Sequence, residues 1–202
     1  RDHPSQFLIE RFVEGRVFHI DSVVADGKVV ACGVSQYGTT PFKVSHYGGV
    51  FTSSIVPYTS KTRKQLETLN RALLMAFKYD RGVTHAEFLQ SDATGEFYLL
   101  EVACRVGGAY IANVLEHACN FNLWREWAKL ETATDEKPYQ LPKLRKDFAG
   151  ITLAQRPVRT CENSKIIESD SSIGRDSAPA RLSRRSMMRR FCMSGVSRQS
   201  GT

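Results

Sequence analysis

The chain has 202 residues and 42% apolar side chains, enough for one domain with a core of ordinary size. No run approaches the ~20 consecutive apolar residues of a membrane-spanning helix, so no membrane association is expected. The net charge of +7 sits at one end: residues 151–202 hold ten Lys/Arg against four Asp/Glu, +6, and residues 1–150 hold eighteen against seventeen, +1. The charge belongs to the tail and is not a nucleic-acid footprint of the folded part.

Arg1 to Gln6 is polar and leads straight into an apolar run, so no secretory leader is expected. The chain opens on Arg1 and not on methionine, which suggests a fragment or a processed chain. Five cysteines (Cys32, Cys104, Cys119, Cys161, Cys192) are scattered, without a CxxC pair or zinc spacing. They read as free thiols in a reducing cytosol, which makes the expected location cytoplasmic.

Phe7–Val13 reads as extended and ends at the turn signal Glu14-Gly15. Val17–Val24 and Lys28–Val34 flank Asp26-Gly27, the signature of a tight antiparallel hairpin. Thr39–Gly49, with Pro41 and Gly48-Gly49, reads as loop. Leu66, Leu69, Leu73, Leu74 and Phe77 recur at helical spacing, predicting a helix from about Lys61 to Lys78 with Ser60 as its cap. Arg81-Gly82 stops it. Strands follow at Val83–Gln90 and Phe97–Ala103, around a turn at Asp92–Gly95. Gly107-Gly108 breaks the pattern before helices from about Ala109 to Ala118 and Leu123 to Leu130, with Trp124, Trp127 and Leu130 facing inward. Phe148–Leu153 adds a strand. From about Asn163 onward serine makes up ten of forty residues, with arginine interleaved, and so polar a stretch cannot bury enough surface to offset its ordering entropy. The expected class is α+β: an antiparallel sheet with packed helices, then an irregular tail.

Two acidic strands carry the chemistry. Glu87 lies in His85-Ala86-Glu87-Phe88 and Glu101 in Leu100-Glu101-Val102-Ala103, each in an otherwise apolar run. Alternation puts Glu87 on the face of His85 and Leu89, and Glu101 on the face of Leu99 and Ala103. If the strands pair across Asp92–Glu96, the carboxylates meet on one face. Held close in a dry cleft they repel, unless a cation neutralises them. Mg²⁺ is commonly held by one or two carboxylates plus nucleotide phosphates. The other reading is an exposed sheet face with two solvated glutamates. Arg105 follows at the strand end, where a guanidinium can clamp a phosphate or carboxylate. Gly107-Gly108 then opens a helix, whose first amides attract anions.

The succession Phe7-Leu-Ile-Glu-Arg-Phe-Val-Glu-Gly15, Phe18-His-Ile-Asp21, Gly82-Val-Thr-His-Ala-Glu-Phe88 and Leu100-Glu-Val-Ala-Cys-Arg-Val-Gly-Gly108 resembles the second half of the ATP-grasp superfamily over residues 6–132. The group of L-amino acid ligases and carnosine synthase is the nearest in flavour. The resemblance implies that Glu10 begins the hinge segment at the adenine ring and that backbone groups at Arg11 and Val13 read the adenine edge. It makes Glu87 and Glu101 the magnesium ligands, with manganese as an alternative ion. It makes Arg105 the arginine that steadies the transferred phosphate, and Gly107 and Gly108 the loop whose amides face an acyl phosphate. It divides the chain into a subdomain at 1–135, a partial extension at 136–162 and the tail at 163–202.

The sequence departs from the family in places. Ala103 stands where many members carry a further metal-ligating Asn, and the place near Val17 lacks the acidic residue that meets the ribose. His19 and Asp21 either line the cleft or form a structural pair, and His85 is open in the same way. The family's upstream lobe, with its glycine-rich loop and lysines, is not in the chain. The implied function is an ATP-dependent carboxylate–amine ligase working through an acyl phosphate, present as a fragment. Its partners would be a small carboxylate and an amine acceptor, not nucleic acid, with a homo-oligomer left open. The alternative is a non-catalytic remnant that cannot close over ATP.

Overall fold

The structure, a computed structural model, describes residues 9–155 and 187–193. Strands β1 (Gly15–Ala25) and β2 (Lys28–Tyr37) form the hairpin expected at Asp26-Gly27. Both turn residues have positive φ, 51° and 69°, the backbone a two-residue turn needs to match strand twist. Next come α1 (Pro41–Tyr47), β3 (Val50–Ile55), α2 (Lys61–Ala76), β4 (Gly82–Ser91) and β5 (Phe97–Ala103). Helices α3 (Ile111–Cys119) and α4 (Leu123–Glu131) follow, then β6 (Ala149–Gln155) and β7 (Met187–Met193).

The sheet order is β5-β4-β1-β2-β3-β6-β7. Neighbours from β5 through β6 are antiparallel, and β7 runs parallel to β6. The class is α+β, as expected. The rest of the Ser/Arg-rich stretch, 163–186 and 194–202, lies outside the described residues. No described helix is long and apolar enough to cross a membrane. Among the described cysteines Cys32, Cys104 and Cys119 are free thiols.

Alternation splits the core into two layers. Phe18, Ile20, Val34, Ala86 and Phe88 pack against Leu66 of α2 on one face. Val23, Ala31 and Val83 pack against α3 and α4 on the other, through Leu115, Leu123 and Leu130. Ser60 caps α2, its hydroxyl accepting from Arg63 N at 3.1 Å, and Asn122 caps α4 from Trp124 N and Arg125 N.

Four expectations are corrected. Residues 9–14 form no strand and join no ladder among the described residues; β1 starts at Gly15, opposite Ser91. Phe7 and Leu8 lie outside the described residues. Thr39–Gly49 is not all loop: Thr40 caps α1 by accepting from Lys43 N, and Pro41 sits in the first turn, where its missing N–H costs nothing. Trp124 does not face inward but is 60% exposed, because Leu123, Glu126 and Leu130 take the buried stripe of α4. The buried stripe of α2 is Arg63, Leu66, Asn70 and Leu74, which leaves Leu69 and Phe77 exposed.

Candidate functional site

Glu87 on β4 and Glu101 on β5 are directly opposite in the antiparallel ladder. Directly opposed residues carry Cβ atoms about 4.5–5.5 Å apart on one face of the sheet. The condition posed by the sequence is met: the two carboxylates share a face and a cross-strand position. Just beyond them the ladder slips, leaving Leu100 as an extra residue on β5.

Behind Glu87 lies a buried polar network on the same face. Asp21 is fully buried, and its two oxygens meet His19 Nδ1 at 2.6 Å and His85 Nδ1 at 2.8 Å. His19 reaches on to Ser53 Oγ at 2.7 Å, and His85 Nε2 to Glu87 Oε1 at 3.4 Å. The Tyr37 hydroxyl donates to the same Oε1 at 2.6 Å. Burial alone would raise the Asp21 carboxyl, but the two imidazoles outweigh it and hold it at about 2. Burial opposes the charged form of His85, yet bonds to Asp21 and Glu87 raise it to about 9. Burial also works against the Glu87 carboxylate, and His85 and Tyr37 more than offset it, so its pKa is lowered. The Tyr37 phenol is pushed well above its ordinary range, first by burial and then by Glu87, which keeps it a donor.

His19, Asp21 and His85 offer ligand atoms within 4.8 Å of one another. Both rings already spend Nδ1 on Asp21, so the trio is a self-satisfied network. The glutamate pair differs. Both donors to Glu87 take Oε1, and among the described residues none is bonded to Oε2. Among the described residues Glu101 makes one ion pair, with Arg105 at 3.9 Å, and it is half exposed. Two opposed carboxylates with free oxygens are a donor set suited to a hard divalent cation.

Arg105 is half exposed, and its Nη1 donates to Val106 O at 3.1 Å. Gly107 is pressed onto the network: a Cβ there would lie 2.8 Å from His85 Nδ1 and 2.9 Å from Asp21 Oδ1. Gly108 faces open space. Ala109 and Tyr110 then take left-handed backbone, φ 52° and 60°, on the way into α3.

Two residues along β4 from Glu87, a cleft of about 880 Å³ opens. Glu10, Arg11 and Val13 line it, so the three hinge candidates come to one place. Val17, Leu89 and the exposed ring of Phe42 add apolar surface, and Lys43 adds a cation. A second cleft, about 730 Å³, lies at the other end of β1 beside Asp26, Lys28 and Arg81, far from the glutamates.

Sequence reasoning brought together Glu87 with Glu101, and Glu10 with Arg11 and Val13. It missed Tyr37. The only available signal was an aromatic at the end of a strand, and its partner lies fifty residues away.

No established family profile matches the chain. It is 26% identical over 131 residues to an L-arginine-specific L-amino acid ligase of Bacillus subtilis, covering 65% of this chain and 31% of that protein. The biotin carboxylase domain of Hydrogenobacter thermophilus 2-oxoglutarate carboxylase, solved with MgADP, ADP and bicarbonate, matches with TM-score 0.52 at 10% identity, over 69% of this chain and 30% of that one. Biotin carboxylase from Campylobacter jejuni in a β,γ-ATP complex matches with TM-score 0.50 at 14% identity, over 68% and 29%. The chain thus spans about a third of the length of these proteins. In sequence and in fold, over about two thirds of its own length, the chain resembles the ATP-grasp ligases, L-amino acid ligase among them.

Proposed function

We propose that the chain is the nucleotide- and metal-binding part of a carboxylate–amine ligase that uses ATP and works through an acyl phosphate. The observation that carries this reading is the position of Glu87 opposite Glu101, two residues along β4 from an apolar cleft. A purine in that cleft, against Val17 and Leu89, would direct its phosphates along the sheet toward the two carboxylates. The ligase relative and the MgADP complex of the biotin carboxylase domain support the same assignment.

Glu87 and Glu101 would hold Mg²⁺, or Mn²⁺ in its place. The bound ion would neutralise phosphate oxygens. Glu10, Arg11 and Val13 would border the adenine. A substrate carboxylate oxygen attacks the γ-phosphorus, the bond to the β-phosphate oxygen breaks, and ADP leaves. An amine nitrogen then attacks the acyl carbon, the acyl C–O bond breaks, phosphate leaves, and the amine loses a proton. Arg105 would balance charge on the transferred phosphate, and the amides at Gly107 and Gly108 would face it. Positioning and charge neutralisation do most of such work.

The test is ADP release with a panel of amino acids, measured on the whole protein that carries this chain. Glu101→Gln, which keeps shape and removes charge, should abolish it. Near-normal ligation by that variant excludes Glu101 as an essential ligand.

A further inference from the structure

We propose that Tyr37 and His85 are positioning residues for Glu87: they grip Oε1 from two sides and so present Oε2 to a divalent cation. This rests on the reading of Glu87 as a metal ligand and adds to it the machinery that aims the ligand.

The geometry is specific. The Tyr37 hydroxyl and His85 Nε2 come from different strands, β2 and β4, and converge on one oxygen, at 2.6 and 3.4 Å. Neither donor is free to move. The Tyr37 ring is 5% exposed, 4.7 Å from the His19 ring and 5.4 Å from Phe51. His85 is 3% exposed and anchored through Nδ1 to Asp21 at 2.8 Å. Asp21 is itself pinned by His19, and His19 by Ser53. The chain of contacts thus runs from β3 through β1 and β4 to a single carboxylate oxygen. Glu101 has no such support among the described residues: its ion-pair partner there is half-exposed Arg105, at 3.9 Å. The two carboxylates are therefore unequal, one rigid and aimed, the other free to swing onto an ion from the solvent side. Hydrogen bonds behind a ligating group fix its orientation, and losing one commonly weakens metal binding about 10- to 100-fold.

The same contacts would also exist if Tyr37 merely needed a partner for a buried hydroxyl. The experiment separates the two. Mn²⁺ alone is titrated into the 202-residue chain, and the free-ion signal is followed by electron paramagnetic resonance. Tyr37→Phe removes one hydroxyl and keeps the ring. It is expected to weaken Mn²⁺ binding roughly tenfold, and to change nothing further when made in a Glu87→Gln background, since a positioning residue acts only through its target. His85→Asn, too short to reach Glu87, is the second variant, with the same expectation, should Tyr37→Phe lose its fold by circular dichroism. If Glu87→Gln weakens binding while both Tyr37→Phe and His85→Asn bind as tightly as the unmodified chain, the clamp is overturned and the metal reading stands. If Tyr37→Phe weakens binding equally in both backgrounds, the clamp is likewise overturned. If Glu87→Gln and Glu101→Gln leave binding unchanged, or the unmodified chain binds no Mn²⁺, the metal reading falls and the clamp falls with it.

Discussion

Asp21→Asn tests whether the buried network is ionic. Asp21 is fully buried and takes a ring nitrogen on each oxygen, at 2.6 and 2.8 Å. The amide keeps the shape but removes the charge that faces His85. Breaking a buried charged pair from one side costs about 3–5 kcal/mol. In a chain of this size each kcal/mol moves the unfolding midpoint by about 2–4 °C, so a fall of roughly 6–20 °C is expected. The assay is thermal unfolding by circular dichroism between pH 6 and pH 10. His85 is raised from 6.5 to about 9 in the folded chain. The stabilisation it brings is therefore full below pH 6.5 and is lost as the pH rises through about 9. The Asp21 carboxyl is lowered from 3.8 to about 2, so its own contribution is lost only as the pH falls through about 2, outside the range. The gap between the two proteins should be widest at pH 6 and should narrow toward pH 10. A gap under about 1 kcal/mol at pH 6, or one that does not narrow, refutes the ionic network, because neutral hydrogen bonds are worth only about that much each.

Two smaller predictions use the loop and the caps. Gly107→Ala drives a methyl against His85 and Asp21 and should destabilise by about 1–3 kcal/mol in urea unfolding, whereas Gly108→Ala, facing open space, should stay within about 0.5 kcal/mol. Asn122→Ala removes two hydrogen bonds at the start of α4 and one to Glu116, and should cost about 1–2 kcal/mol in the same assay.

Most strands were legible because their ends are written locally. Asp26-Gly27 can take the positive φ of a tight turn, and β5 runs from Phe97 to Ala103 as expected because Asp92–Gly95 and Gly107-Gly108 bracket it. The glutamate pair was legible in part: one hairpin brings the two strands together, and it is the slip at Leu100 that sets Glu87 opposite Glu101 in place of Leu100. Tyr37 was not. Its contact with Glu87 requires β1 to lie between β2 and β4, an arrangement that no local pattern states. His19, Asp21 and His85 were each noticed, but their union depends on the register of β1 against β4. Trp124 was misread because its neighbour Leu123, one position earlier, claims the buried stripe, and helical spacing alone cannot choose between adjacent stripes. Thr40-Pro41 looked like loop because proline both breaks helices and begins them.

The register of β1 on β4 explains why core, network and cleft occur in that order. On the face covered by α3 and α4 the cross-strand pairs are Val23 with Val83, Asp21 with His85, His19 with Glu87, and Val17 with Leu89. Each step is two residues, about 6.6–6.8 Å, so the face passes from dry core to ionic network to nucleotide-sized cleft within about 20 Å. The polar pairs are tolerated beside the core because each finds a partner in the opposite strand or one rung away. A slip of β1 by one residue against β4 would turn His19 and Asp21 toward α2, beside Leu66 and Phe88, and away from His85 and Glu87. It would also bring Ile20 to the face of His85 and Glu87. Burying unpaired charge costs far more than any single hydrogen bond returns, so the network itself holds β1 and β4 in the register that sets Asp21 opposite His85.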